Sequence, residues 1–303
     1  MPSEAGHQTR RGRLVAHLGM LVFAASIAGS FTFGSWTVSS IGAAPLNALR
    51  FAIATTLMGV WVFGVRGQAF VWPRAPWRFA INGALTAVYF VTMFVALTMT
   101  KPVATSAVYT LVPLMTAVTA YFLVGQRSGP SVLLSLVIAG AGAIWVIFRG
   151  DIYALLRFDV GLGEIIYFIG CVAYSFYTPL LRRFNFGESP LVLSFWTLLG
   201  TTICISLWGL PDIVATNWLA LPPMIWAVIA YLAIFPTALA FFLIQYASVH
   251  LPAPKVIAYG YIVPSFVIVL EGTVGHGWVS LSVVAGALLT ALALFVLALL
   301  PEK

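Results

Sequence analysis

Residues 131–148 read SVLLSLVIAGAGAIWVIF, a stretch without one charged side chain. A helix needs about 20 mainly apolar residues to cross the hydrocarbon core of a bilayer. A helix on a soluble domain keeps a polar face toward water, and this run offers none. Working outward, comparable runs recur at roughly 16–38, 44–65, 77–99, 103–124, 162–181, 189–209, 224–247, 254–273 and 279–300. Together they make ten spans, separated by charged or Pro/Gly-containing breaks. The longest breaks are Arg66–Pro76, Arg149–Gly161 and Leu210–Pro223, which leaves no soluble domain over.

Composition agrees with that reading. The 303 residues are 61% hydrophobic and only 8% charged, with a mean hydropathy of +1.03. A soluble domain carries about 25% charge. Disorder, a coiled coil and a secreted disulfide scaffold are excluded by the same figures. Cys171 and Cys204 lie inside apolar runs and show no disulfide or metal-ligand spacing. The formal charge of +7 is spread singly or in pairs between apolar runs, unlike the basic patch of a nucleic-acid binder. Thr9-Arg10-Arg11-Gly12-Arg13 has a loose twin-arginine look, but an exported soluble protein needs only one apolar run after it. An uncleaved, positively charged start on the cytoplasmic side is expected.

Lys and Arg fix the orientation. With the N-terminus inside, the inner side holds Arg10, Arg11, Arg13, Arg66, Arg74, Arg78, Arg127, Arg182, Arg183, Lys255 and Lys303. The outer side holds Arg50, Lys101, Arg149 and Arg157. Eleven against four puts both termini in the cytoplasm.

The chain also repeats itself. A shift of 145 lays Ala28-Gly29-Ser30-Phe31 over Ala173-Tyr174-Ser175-Phe176 and Pro45-Leu46 over Pro190-Leu191. A shift of 151 lays Val112-Pro113 over Val263-Pro264, Ala96 over Ala247, and Ser131-Val132 over Ser282-Val283. One insertion of six residues between spans seven and eight reconciles the registers. The expected organisation is a cytoplasmic tail (1–15), a five-helix repeat (16–150) and a second, inverted repeat (151–303). Five is odd, so the halves thread oppositely, as in transporters that rock two halves about a midplane site.

Three features resemble the drug/metabolite transporter superfamily, specifically its EamA-type ten-helix proteins. They are Pro45-Leu46-Asn47-Ala48-Leu49-Arg50-Phe51 opening span two, Ala104-Thr105-Ser106-Ala107-Val108-Tyr109 before Pro113, and the glycine-rich Ala139-Gly140-Ala141-Gly142 of span five. The resemblance covers residues 16–300. Departures are Gly125-Gln126 and His276-Gly277 where the family often ends spans in Gly-Glu, and Phe195 in place of the second half's arginine. The aromatic load most resembles the YddG-type exporters of aromatic amino acids. The resemblance implies an all-α integral membrane protein of ten helices, with spans 1–4 and 6–9 around a central cavity and spans 5 and 10 packed behind.

Candidate site residues follow. Pro113 and Pro264 each lie near the middle of a span and remove a backbone hydrogen bond. They either shape and gate a pathway or make static kinks. Asn82, Thr86, Tyr89 and Met93 share one face of span three, and Tyr167, Cys171, Tyr174 and Thr178 one face of span six. A buried phenol needs a hydrogen-bond partner, so these faces point inward, to line a cavity or to join helices. Tyr109 and Tyr259 precede the two prolines and are expected to face one space, with Gln245, Asn47 and Tyr177 as further polar candidates. Trp196 lies deep enough to stack on an aromatic substrate. Trp36 offers either such a stack or an interfacial anchor. Glu271 is the sharpest ionisable candidate, with Arg50 as its outer-side charge partner; either is a candidate to guide a zwitterion's ammonium or carboxylate, and Glu271 to bind a coupling proton; the alternative is that both snorkel to the outer headgroups. Pro236 has no counterpart and carries less weight, and His17, His250 and His276 sit at span boundaries.

No phosphate-cradling loop, His-Glu-x-x-His motif or catalytic triad is present, so no enzyme, metal or cofactor is expected. The expected function is export of small organic solutes, aromatic and other neutral amino acids foremost, by alternating access. The alternative on the same fold is an exporter of drugs, nucleosides or other metabolites. A membrane enzyme would cluster ionisable residues at one interface, and a structural bundle leaves the inverted repeat unexplained. The implied partners are a small-molecule substrate and the lipid bilayer, with no nucleic acid and no obligate protein partner.

Overall fold

The computed structural model of the chain describes residues 4–126, 129–157, 159–184, 186–251, 256 and 258–299. Every regular element among them is helical. The first half comprises α1 (Glu4–Ser35), α2 (Ala43–Gly59, continued by a π-helical turn, Val60–Val65), α3 (Trp77–Ala96), α4 (Pro102–Tyr109), α5 (Val112–Val124) and α6 (Pro130–Ile147). A short α7 (Ile152–Leu156) leads into α8 (Leu162–Arg183), α9 (Pro190–Trp208), a short α10 (Leu210–Ala215) and α11 (Pro223–Ala233). A π-helical turn, Ile234–Leu239, joins α11 to α12 (Ala240–His250). A 3₁₀ turn, Tyr259–Ile262, precedes α13 (Val263–Thr273), and α14 (Leu281–Leu299) follows.

Eight helical stretches among the described residues are long and apolar enough to cross a membrane, from Gly12–Ser35 to Pro223–Ile244. Tyr259–Thr273 and Leu281–Val296 are shorter apolar helices at the ninth and tenth expected positions. Proline occupies the first turn of α4, α5, α6, α9, α11 and α13, where its missing N–H costs nothing. Gly125 closes α5 at φ 65°, a left-handed cap that suits glycine. Helix α1 begins at Glu4, inside the stretch expected to be a tail.

The prolines of spans four and nine do more than bend a continuous helix. Thr110 N–H bonds the carbonyl of Ala107 and Leu111 N–H that of Val108, each at 3.1 Å, so α4 tightens and stops. Pro113 then opens α5 as a separate segment. Pro264 likewise opens α13 after the 3₁₀ turn, whose Tyr261 carbonyl accepts from Thr290 Oγ1 at 2.8 Å. Backbone groups freed by each break must find partners inside the protein, because lipid offers none.

Contacts between the halves obey an exchange rule. Helix α3 packs on α8 and α9, while α12 packs on α1 and α11 on α2. Helix α5 meets α8 as α13 meets α1, and the pairs α2–α9, α4–α13 and α6–α14 map onto themselves. A Cβ on Gly83 would overlap the backbone of Gly200 and Thr201, so α3 and α9 touch backbone to backbone. Gly142 does the same against the Gly286 carbonyl between α6 and α14. Small residues at such crossings let helices approach where no hydrophobic force separates protein from lipid.

Candidate functional site

The deepest charge in the bundle is Arg50, on the second turn of α2 and 0% exposed. Its Nε donates to Thr237 Oγ1 at 2.7 Å, and its terminal nitrogens lie 3.5 Å from Ser30 Oγ and from the Pro236 carbonyl. The guanidinium sits 4.6 Å from the centre of the Phe90 ring, with Phe51 and Phe94 further out. All these partners are neutral. Among the described residues no carboxylate pairs with it.

The π-helical turn explains how α11 and α12 receive this cation. Pro236 cannot donate and clashes with the turn before it, so the helix widens there. Thr237 Oγ1 takes up the Leu232 carbonyl at 2.8 Å while accepting from Arg50. Snorkelling of Arg50 to the headgroups is thereby overturned, because α1 and the π-turn cover it. The pairing of Arg50 with Glu271 is overturned too: Glu271 Oε2 instead faces His276 Nδ1 at 2.9 Å. Pro236 and Thr237, given little or no weight from sequence, are contacts of the site's one deep cation.

Beside Arg50 runs a seam of phenols. Tyr89 touches Phe90 edge-on at 4.8 Å and stacks on Tyr174 at 4.3 Å, and Tyr174 stacks on Tyr177 at 5.3 Å. Tyr167 donates its hydroxyl to Tyr89 at 2.8 Å. Phe31 of α1 lies against both Tyr167 and Tyr109, which also reaches Tyr89 at 6.3 Å. The inward stripes of α3 and α8 thus meet each other, with Asn82, Thr86, Tyr89, Met93, Tyr167 and Cys171 buried and Tyr174 and Thr178 half-buried. Asn47, one turn before Arg50, donates to the carbonyls of Ala43 and Phe90, and its Oδ1 is buried without a partner. Asn82 Oδ1, on the α3 stripe, is equally bare.

Other candidates lie elsewhere. Tyr259 does not share the space of Tyr109: its hydroxyl bonds His17 Nδ1 at 2.6 Å, and it is Gly260 that abuts the Tyr109 ring. Trp196 is buried among Phe79, Phe195 and the loop residues Phe70 and Trp72, away from the phenol seam. Trp36 is half-buried near the end of α1 against Phe33 and His276. The side chain of Gln245 lies outside the described residues.

The EamA-like transporter family matches residues 14–148 and again 161–299. The chain belongs to the EamA-like transporter family. This EamA protein is a multi-pass integral membrane protein of a transporter family, not an enzyme. It is 24% identical over 264 residues to an uncharacterized transporter, YyaM, of Bacillus subtilis (strain 168), covering 86% of each chain. A solved crystal structure matches with a TM-score of 0.70 at 19% identity, over 96% of this chain and 97% of its own. At that identity the likeness speaks for the fold alone.

Proposed function

We propose that this EamA transporter exports small, net-neutral organic solutes, aromatic and other neutral amino acids foremost, in the manner of the YddG-type exporters. The observation that carries the reading is Arg50. A buried cation surrounded by hydroxyls, a carbonyl and ring faces lacks an anion, and an ionisable group inside a span is a functional site by default. The carboxylate of a substrate supplies that anion bidentately. The adjoining Tyr89, Tyr174, Tyr177 and Tyr109 rings offer faces to an aromatic side chain and hydroxyls to a polar one.

In this reading the two halves are inserted oppositely, with both termini in the cytoplasm. The odd number of spans in each repeat supports the first point, the exchange rule fits the pseudo-twofold axis it needs, and the Lys/Arg distribution supports the second. Transport proceeds as the α3–α8 and α1–α12 seams open in turn, which forms the central hollow between spans 1–4 and 6–9 on alternate sides. Pro113 and Pro264 open the helix segments that line those seams.

The test is counterflow in proteoliposomes, screening amino acids against nucleosides and cationic drugs. Phenylalanine, tryptophan and threonine are expected to exchange above protein-free vesicles. No such movement overturns the amino-acid reading. Movement of nucleosides or drugs instead would put the same fold to the alternative use.

A further inference from the structure

Glu271 lies on the last turn of α13, 7% exposed, and its two oxygens fare differently. Oε2 faces His276 Nδ1 at 2.9 Å, whereas Oε1 is buried with no hydrogen-bond partner. Across the His276 ring, at 6.3 Å and 79°, stands Trp36, whose Nε1 is also buried and also unpartnered. One bare acceptor and one bare donor therefore flank a single histidine, at the end of the bundle that the Lys/Arg count puts outside.

Holding the turn after α13 does not require the carboxylate. His276 N–H already bonds the Glu271 carbonyl at 3.0 Å and Val274 N–H that of Leu270 at 2.9 Å. A buried polar atom left bare is unfavourable, more so when charged. Two such atoms of opposite sense, on either side of one histidine, suit a visitor that carries both a donor and an acceptor. An α-amino-acid head does so on one carbon.

We infer that Glu271, His276 and Trp36 form a second recognition site, at the outer mouth, for a zwitterionic head group. The ammonium donates to Glu271 Oε1 and lies beside the Trp36 ring, which adds a cation–π attraction. The carboxylate accepts from Trp36 Nε1. His276 holds Oε2 and so aims Oε1, which makes it a positioning residue. This inference rests on the amino-acid reading for its natural ligand but not for its test.

The test is equilibrium binding of three probes to the purified full chain: L-phenylalanine, phenethylamine and 3-phenylpropionate. Loss of a charge-assisted bond corresponds to about 10–100-fold in affinity. Glu271→Gln is expected to weaken both amine-bearing probes by that factor and to leave 3-phenylpropionate unchanged. Trp36→Phe keeps an aromatic face and removes the five-membered ring with its N–H. It is expected to weaken L-phenylalanine several-fold and spare phenethylamine, and it serves alone should Glu271→Gln not fold. Equal loss for all three probes, unchanged amine affinity, or a wild type that binds no amine would overturn the site. Failure of amino-acid counterflow with Glu271-dependent amine binding intact would overturn the proposed function and leave the site standing.

Discussion

Two equivalent corners of the two halves carry opposite chemistry. Under the repeat registers Arg50 corresponds to Phe195, Ser30 to Ser175 and Thr237 to Thr86. The hydroxyls are present in both corners, and the cation in only one. Where Arg50 leans on Thr237, the helix is widened by Pro236; the counterpart Leu85 sits in the unbroken helix α3. Thr86 there merely back-bonds Asn82 at 2.7 Å, and Ser175 bonds Val172. Phe195 instead packs on Phe63 at 4.9 Å, on Trp196 and against Gly59. The cation and the π-turn meet at one hydroxyl: Thr237 Oγ1 takes up the Leu232 carbonyl that Pro236 cannot serve, and accepts from Arg50 Nε. The buried cation of this corner thus lies in the first half and has no twin at the equivalent place in the second.

The hardest blow to this contrast comes from giving the second half its own charge. Phe195→Arg puts a guanidinium among aromatic rings and a glycine, with the unwidened helix α3 where the first half's arginine meets a π-turn. An uncompensated buried charge costs about 3–5 kcal/mol. The expected outcome is loss of monodisperse protein, or a melting temperature far below the parent's in detergent. A variant that melts with the wild type would mean that packing does not enforce the asymmetry.

Removing the first half's charge is expected to act on transport rather than on folding. A long apolar side chain often replaces a buried ion at little cost in stability. Arg50→Met should therefore keep the melting temperature within a few degrees while flux of a carboxylate-bearing substrate falls about 10–100-fold, the value of a charge-assisted bond. Arg50→Lys retains charge but not the planar fork and is expected to fall between. Equal flux in all three proteins would make Arg50 a packing residue.

The sequence carried the spans well, because the bilayer's thickness demands about 20 apolar residues whatever the tertiary structure. It also carried the faces of α3 and α8, since a buried phenol must turn toward protein. It did not carry the burial of Arg50, which sits near the start of its span and reads as a flanking cation. What covers it is the π-turn almost two hundred residues later, and Pro236 has no twin in the first half to announce it. The contact of Tyr259 is hidden from the sequence for a similar reason: its partner His17 is 242 positions away and on the other half. The Glu271–His276 pair spans a turn at a five-residue spacing that no helical periodicity flags.

The smallest expected effect concerns a second break in symmetry, at the opposite end of the bundle. Arg78, at the start of α3, is buried beneath Phe79 and Phe186, donates to the Phe184 carbonyl and pairs with Glu188 in the turn before α9. Its counterparts under the repeat are Ile229 and Ala43, so the matching contact in the other pair of seams is apolar. The Arg78 bond holds the Glu188 carboxyl below its usual 4.5, and the Phe186 N–H adds to the effect. A lowered folded pKa means that the pair's contribution is complete above about 4.5 and is lost as pH falls through the folded value. Glu188→Gln, which keeps shape and hydrogen bonding, is expected to melt about 2 °C below wild type at pH 7. That gap should close progressively as both proteins are melted at pH values under 4.5, where wild-type Glu188 takes up its proton. A gap that stays constant down to pH 3 would assign the contact to shape, and the two ends of the bundle would then differ in packing alone rather than in charge.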